Sequence, residues 1–459
     1  MSSKPTFASV ISNRGFRYLW INQILIQLAY NTLNFALLIW VYKLTDSNLA
    51  VSMLLLCVYL PVVIFGIFAG VFVDLADKRK IILTVDLLLA LSFLLFIPIR
   101  GYFPLILLNT FFINSLAQFF MPSESSSIPI LVSKKQLFIA NSLFSLTLYA
   151  SFMAGSSLAG PILTHLGINA AFLFGAGSLG LAFILSRNLP VIRTENRRKI
   201  KKSFSLEYLN KLLDLTGEEV STTYRFIRSR FDITVSIALL AGVQGIIGVL
   251  AVLMPSYLER VLKIHATDAS YFVMLPLGLG MVIGAIVVGR LFAGKPRRTL
   301  VIPAIVASGI IFFLMGVIPA IADMLQSTDL PSYITRPRYF LRAPSLSFYF
   351  SILAFLAGLS AVSIIIPTQT SLQEKTTEKN RGKVFAMLAV LMTAFSAVPV
   401  VLAGGFADLF GASPIMVVVG IITLVIGLVA MRPSWFFEEW HLPDHCREFL
   451  GLGHWEKRS

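Results

Sequence analysis

The sequence predicts an all-α membrane protein with twelve transmembrane helices in two parallel-repeat six-helix bundles. Three observations carry that prediction. Hydrophobic residues make up 56% of the 459 positions and charged residues only 13%, where a soluble fold uses roughly 25% charge to cover its surface. The charges are also not distributed along faces. They separate apolar runs close to the roughly 20 residues that cross a bilayer core. Finally, the two halves of the chain carry matching segments at a nearly constant offset.

A charge at the bilayer centre costs about 2.5–3.5 kcal/mol on insertion scales, so stretches without Asp, Glu, Lys or Arg are diagnostic. Residues 18–42 and 47–73 are the first two. Spans 3 and 4 occupy 81–99 and 103–121, parted by Arg100 and Gly101 and interrupted only by Asp86. Residues 136–186 hold two spans with a tight turn near His165 to Asn169. Residues 233–258, 269–289, 299–322, 343–373, 384–407 and 409–431 supply the remaining six. The first run has 25 residues with no small-residue cleavage site after it, so it reads as a retained anchor and not as a signal peptide.

The halves correspond segment by segment. "FMPSESSS" from Phe120 and "IIPTQTSL" from Ile365 each precede a polar loop and then "SLAGPIL" or "VLAGGFAD". Pro122 and Pro367 are 245 apart, and Gly160 and Gly404 are 244 apart. Gly70 and Asp74 before Lys78, Arg79 and Lys80 parallel Gly289 and Ala293 before Lys295, Arg297 and Arg298, at an offset of 219. The long loop between spans 9 and 10 accounts for the difference. Repeats in the same orientation imply an axis along the membrane normal and a substrate site near the midplane between them.

Lys and Arg collect on the cytoplasmic side of a membrane protein. With both termini cytoplasmic, 31 of the 38 Lys and Arg residues fall inside. The expected organisation is an N-terminal bundle at 1–186, a cytoplasmic amphipathic linker at 187–232, a C-terminal bundle at 233–431 and a cytoplasmic tail at 432–459. In the linker Leu206, Leu209, Leu213, Val220, Tyr224 and Ile227 recur at helical spacing, which suits a connector lying on the membrane surface. A regulatory domain is the alternative. The expected location is the plasma (inner) membrane.

The net charge of +15 does not point to nucleic acid, because the basic residues lie between apolar runs. Cys57 and Cys446 sit in an apolar run and in the tail, so no disulfide framework is expected. His441, His445, Cys446 and His454 match no established zinc spacing, and no metal or other cofactor is expected. The outer loop with Tyr333, Arg336, Arg338, Tyr339, Phe340 and Arg342 reads as an interfacial anchor. No phosphate-cradling Gly-x4-Gly-Lys-Ser/Thr segment occurs, which excludes a self-contained ATP-driven pump. Paired intramembrane acids and a His/Glu metal helix are not apparent, and no enzymatic activity is expected.

The run "GVFVDLADKRK" from Gly70 to Lys80 resembles the loop between helices 2 and 3 of the major facilitator superfamily: a Gly, three residues, an Asp, then a basic cluster. With Asp77 just before the basic residues it looks most like the drug/proton antiporter branch that includes macrolide and siderophore exporters. Pro122 to Pro129 ahead of "LFIANSL", the helix-packing pair Gly160-Pro161 in span 5, and "QEKTTEKNRGKVFA" from Gln373 extend the resemblance over nearly all the spans. It implies a gate in which Asp74 docks near Gly382 and Lys383 at the start of span 11 when the cytoplasmic side closes. Gly70 and Asp77 would belong to that gate, with Lys78 and Arg79 latching nearby carboxylates. Independently of the family, a carboxylate at the end of one helix can meet the partial positive charge of a neighbouring helix N-terminus. A simple positive-inside loop with a helix cap is the bland reading.

Asp86 is the proton-coupling candidate. It lies six residues beyond Lys80, about 9 Å into span 3, and a carboxylate out of water is a costly charge that a proton relieves. The competing view is a structural Asp bonded to hydroxyls. Glu124 and Asp408 are expected at membrane edges, where water keeps them ionised. Uncharged polar residues form stripes: Gln23, Gln27, Asn31 and Asn34 in span 1, Asn114 and Gln118 in span 4, Tyr149 in span 5 and Gln244 in span 7. Such groups either bond between helices or line a wet cavity. A cavity lined this way suits an amphiphilic small molecule better than a small ion.

The function this predicts is a secondary transporter, working as a monomer in the lipid bilayer and exporting an amphiphilic drug, natural product or siderophore in exchange for protons. A facilitator or symporter importing a nutrient is the first alternative. A non-transporting membrane partner and a membrane-embedded enzyme are the others.

Overall fold

The computed structural model describes residues 7–133, 136–191, 231–268, 270–291, 298–327, 343–375 and 378–431. The linker from 192 to 230, Lys134 and Lys135, the loop carrying Tyr333 to Arg342, and the tail from 432 lie outside the described residues. Among the described residues there is no strand, and twelve helices are long and apolar enough to cross a membrane. The physical reason is the solvent. Lipid offers no partner to a backbone N–H or C=O, so each crossing segment must satisfy its own.

After a short helix at Phe7–Ile11, the first bundle consists of α1 (Arg14–Thr45), α2 (Asn48–Leu75), α3 (Lys78–Ile99), α4 (Phe103–Leu131), α5 (Leu137–His165) and α6 (Ile168–Ser186). The second consists of α7 (Phe231–Ser256), α8 (Leu275–Leu291), α9 (Arg298–Ser327), α10 (Ala343–Lys375), α11 (Glu378–Phe410) and α12 (Ala412–Met431). A π-helical turn, Tyr257–Val261, extends α7, and another, Ser270–Met274, leads into α8.

Local chemistry sets the boundaries. Asn13 caps α1 by accepting from the Phe16 N–H at 3.2 Å, and its amide donates to the Leu131 carbonyl at 2.6 Å. Asp46 closes α1 in the left-handed conformation with φ 50°, a conformation that Asp and Asn tolerate better than most residues. The turns between α5 and α6 and between α11 and α12 each contain a glycine at positive φ, Gly167 at 79° and Gly411 at 87°. These two glycines stand 244 apart, the offset of the repeat, and each supplies a backbone state that a side chain would strain.

The helix pairs that pack together also repeat. In the first bundle α1 packs on α5, α3 on α6 and α4, and Phe65 and Phe72 of α2 contact aromatic rings of α4. In the second bundle α7 packs on α11, α9 on α12 and α10, and α8 on α10. Adding six to each of these helix numbers in the first set gives the second, while the packing of α1 on α6 has no equally extensive counterpart between α7 and α12.

By contacts the chain divides into two units, residues 1–46 with 53–220 and residues 47–52 with 221–459. In the first, Phe96 stacks on Phe172 with ring centroids 5.1 Å apart, and α1 carries no exposed residue between Gly15 and Tyr42. The outward faces are apolar, as with Leu87, Leu91, Leu94 and Leu95 on α3, a surface suited to acyl chains and not to water. In the second unit Val243, Val301, Ala304, Ile305 and Ile364 form a core, and Tyr257 packs 4.7 Å from Phe350.

One boundary departs from expectation. Span 4 was expected to stop before Pro122, yet α4 continues to Leu131 with Pro122 and Pro129 inside it. Membrane helices tolerate internal proline where hydroxyls take up backbone carbonyls. Pro122 and Pro129 withhold a backbone donor from the Gln118 and Ser125 carbonyls, while Ser123 donates to the Phe119 carbonyl at 2.7 Å and Ser126 to the Pro122 carbonyl at 2.6 Å along the same helix.

Candidate functional site

The first unit encloses a polar cluster built from α1, α3 and α6. Asp86 sits eight residues after Lys78 on α3, about 12 Å along the helix, and is fully buried. Asn22 of α1 and Ser186, the last residue of α6, are fully buried too. The Asn22 amide nitrogen donates to Asp86 Oδ2 at 2.7 Å and to Ser186 Oγ at 2.6 Å. Asp86 is therefore held by an amide. Asn22 was missed at the sequence level because it stands one position off the Gln23 stripe. Its partner is 64 residues away, beyond the reach of any local spacing rule.

The turn between α2 and α3 is ordered by position. Gly70 lies in the last turns of α2, where an added Cβ would meet nothing within 4 Å. Close packing therefore does not demand glycine there. The backbone places Asp74 at the end of α2, while its side chain lies outside the described residues, as do those of Gly382 and Lys383. Asp77 is the N-cap residue of α3 by position, and both it and Lys78 are buried. Arg79 lies seven residues before Asp86, hence on the same helical face, yet its guanidinium donates to the carbonyl of Arg187 just after α6. The Arg79 cation thus stands at a helix C-terminus, a favourable site for positive charge.

None of the span 1 amides is fully exposed. Gln23 is buried and donates to the Phe144 carbonyl of α5 at 3.3 Å. Asn31 donates to the Gln27 carbonyl at 2.7 Å, and Gln27, Asn31 and Asn34 are half-buried. Asn114 is buried, accepts from the Tyr30 hydroxyl and donates to the Thr110 carbonyl at 2.8 Å; Gln118 donates to the Asn114 carbonyl at 3.3 Å. Part of the stripe is therefore self-satisfied along helices. Gln244 is half-buried on α7. The side chain of Tyr149 lies outside the described residues. Gly160 and Pro161 lie within α5, with the Gly160 carbonyl accepting from Thr164 at 3.0 Å.

Glu124 requires a correction. It is not at a watery edge: with α4 unbroken past Pro122, it is 5% exposed inside the first unit. Asp408 does sit at a helix end, and in the second unit it caps α2. Its Oδ1 accepts from the Asn48 backbone N–H at 2.6 Å and from the Asn48 side chain at 2.9 Å. Oδ2 accepts from Ser47 Oγ at 2.6 Å and from the Leu49 N–H at 3.0 Å. A carboxylate that satisfies orphan N–H groups at a helix start contributes about 0.5–2 kcal/mol. Asp408→Ala is expected to lower the unfolding midpoint of the detergent-purified protein by an amount that reflects this cap, measured by tryptophan fluorescence at a fixed heating rate.

Twelve apolar helices in two like bundles, one enclosing a buried carboxylate, define a multi-pass membrane protein of the transporter type. The family model of the Major Facilitator Superfamily matches residues 19–328, and the chain belongs to that superfamily, as one of its transporters. It is similar to macrolide efflux protein A of Streptococcus pyogenes, 24% identical over 421 residues, 90% of this chain and 94% of the relative. It is also similar to the uncharacterized MFS-type transporter YfiS of Bacillus subtilis (strain 168), 22% identical over 406 residues, 85% and 86% of the two chains. Among solved structures, the peptide transporter POT in complex with sulfate shares the fold with a TM-score of 0.67 at 14% identity, covering 94% of this chain and 98% of that one. The nucleoside transporter NupG shares it with a TM-score of 0.66 at 10% identity, covering 91% and 98%.

Proposed function

We propose that this transporter exports an amphiphilic small molecule in exchange for protons by alternating access, as a monomer in the plasma membrane with both termini cytoplasmic. The observation that carries the reading is Asp86: fully buried in a membrane helix, held by an amide, and without a Lys or Arg in ion-pair distance among the described residues. An ionisable group placed there is expensive unless its charge changes during work. The similarity to a macrolide efflux protein over 90% of the chain supports the outward direction and the amphiphilic substrate. The amide-bearing faces of α1 and α4 are proposed to supply polar contacts for such a molecule, with Gln27, Asn34 and Gln118 half-buried in the first unit. Asp74 is proposed as the gating residue of the α2–α3 turn, together with Asp77, Lys78 and Arg79.

The test is dye export from vesicles holding the purified protein under an imposed pH difference. Asp86→Asn keeps the amide contact shape but cannot carry a proton. Its uphill dye gradient is expected to fall to the level seen without a pH difference. Flux in the unaltered protein that ignores the pH difference would replace this reading with a facilitator.

A further inference from the structure

The outward side of the α3–α6 pair lies away from the polar cluster. The two helices pack along their length, with Phe93 set against Gly175 and Phe96 stacked on Phe172. On one side of this seam stands α1, whose Asn22 bridges Asp86 and Ser186. The exposed residues of both helices therefore flank the other side. On α3 they include Lys80, Leu87 and Leu91, and on α6 Gly177, Ile184 and Arg187. Steps of seven, four and three keep each set on one helical face. Each face is apolar along the membrane helix and ends in a cation.

The two cationic ends adjoin, because the Arg79 guanidinium donates to the Arg187 carbonyl. That bond uses only the backbone of Arg187. Its own guanidinium stays at the surface, 5.9 Å from the centre of the Phe183 ring. Depth matches as well. From Arg187 to Gly177 is about 15 Å along α6, and from Lys80 to Leu91 about 16 Å along α3. Half of a bilayer's hydrocarbon core is about 15 Å. With the cations at headgroup level, both apolar faces therefore end near the midplane, as one acyl chain does. The floor is open there: an added Cβ at Gly177 or Gly180 would meet nothing within 4 Å. Helix packing does not demand these glycines, and they leave a shallow track beside Ile184.

We propose that the outward seam of α3 and α6 binds one anionic phospholipid, its phosphate held by Lys80 and Arg187 and an acyl chain lying over Gly177. Charge and shape select this occupant together. A soluble anion would use the cations and leave the apolar track empty. A neutral lipid would fill the track and leave two cations without a partner charge. A second copy of this chain, paired through the same face about a twofold axis, would bring like cations together. Only a molecule with a negative head and a hydrocarbon tail of one leaflet's depth satisfies both parts, and a basic side chain at such a surface attracts it.

The test is native mass spectrometry of the full chain, released from detergent carrying equal amounts of phosphatidylglycerol and phosphatidylethanolamine with the same acyl chains. The expected result is one phosphatidylglycerol retained on the protein in preference to phosphatidylethanolamine. Lys80→Gln and Arg187→Gln are each expected to lower its retention about fivefold, the effect of losing one basic contact at a lipid surface. Arg187→Lys is expected to keep it, and Arg187→Gln preserves the carbonyl that Arg79 uses. Gly177→Leu fills the track at unchanged charge and is expected to lower retention too, whereas Arg100→Gln, at the far end of α3, leaves it unaltered. Variants are compared as monodisperse species of equal elution volume. Equal retention of the two lipids, an equal loss in Arg100→Gln, or no loss in Gly177→Leu would each overturn the proposal. So would inorganic phosphate retained in place of the lipid, or a lipid-free dimer that Gly177→Leu dissociates.

Discussion

Asn22→Leu is expected to destabilise the protein more than any other substitution in the first unit that leaves the charge unchanged. The Asn22 amide gives one N–H to Asp86 and one to Ser186 in a fully buried setting. A hydrogen bond to a charged group contributes about 1.5–3 kcal/mol, and leaving a buried charge without its donor adds the desolvation penalty of that group. The expected result is a lower unfolding midpoint for Asn22→Leu, measured by scanning calorimetry at fixed rate, together with loss of pH-driven dye export. Replacing both partners restores consistency, because an apolar pair of similar shape leaves no orphan. Asn22→Leu with Asp86→Leu should therefore unfold above Asn22→Leu alone while remaining inactive. Equal or lower stability of the double variant would mean that Asn22 acts through packing.

Gly155→Leu is the second large effect. A Cβ at Gly155 would stand 2.8 Å from Asn31 Cβ and 3.1 Å from both the Leu28 carbonyl oxygen and the Thr32 nitrogen. The obstacles are largely backbone, which cannot step aside as the tip of a side chain can. Thr32 also donates to the Gly155 carbonyl at 3.1 Å, a bond that needs the same close approach. Forcing a larger group into a closed contact costs about 1–3 kcal/mol or more. Gly155→Leu is expected to reduce the yield of monodisperse protein, and Gly155→Ala to show a smaller loss in the same direction. The expected loss in transport is large, since α1 carries both Asn22 and the amide stripe.

How much of this was legible in the sequence depends on the range of the interaction. Boundaries set by local chemistry could be read: the turn near His165 to Asn169, and the repeat that places Gly167 and Gly411 in equivalent turns. Pro122 misled because proline ends helices in water by costing a hydrogen bond, whereas ending a helix within a membrane would leave still more backbone groups without partners. That error moved Glu124 to the water's edge on paper. The embrace of Asp86 by Asn22 and Ser186 was out of reach for a different reason. It joins residues 64 and 164 positions apart in the chain, and periodicity reports which face of a helix is polar without saying which helix will cover it. The same limit hid the cap that Asp408 places on α2.

The enclosure of α1 has a consequence for how the protein is made. Between Gly15 and Tyr42 this helix carries no exposed residue, and α5 and α6, which pack on it, are synthesised after it. At about 5–20 residues per second, Asn22, Gln23 and Asn31 wait on the order of ten seconds for their covering helices. During that interval they need a polar shelter within the insertion machinery, so biogenesis sets a demand on α1 that the folded transporter no longer shows.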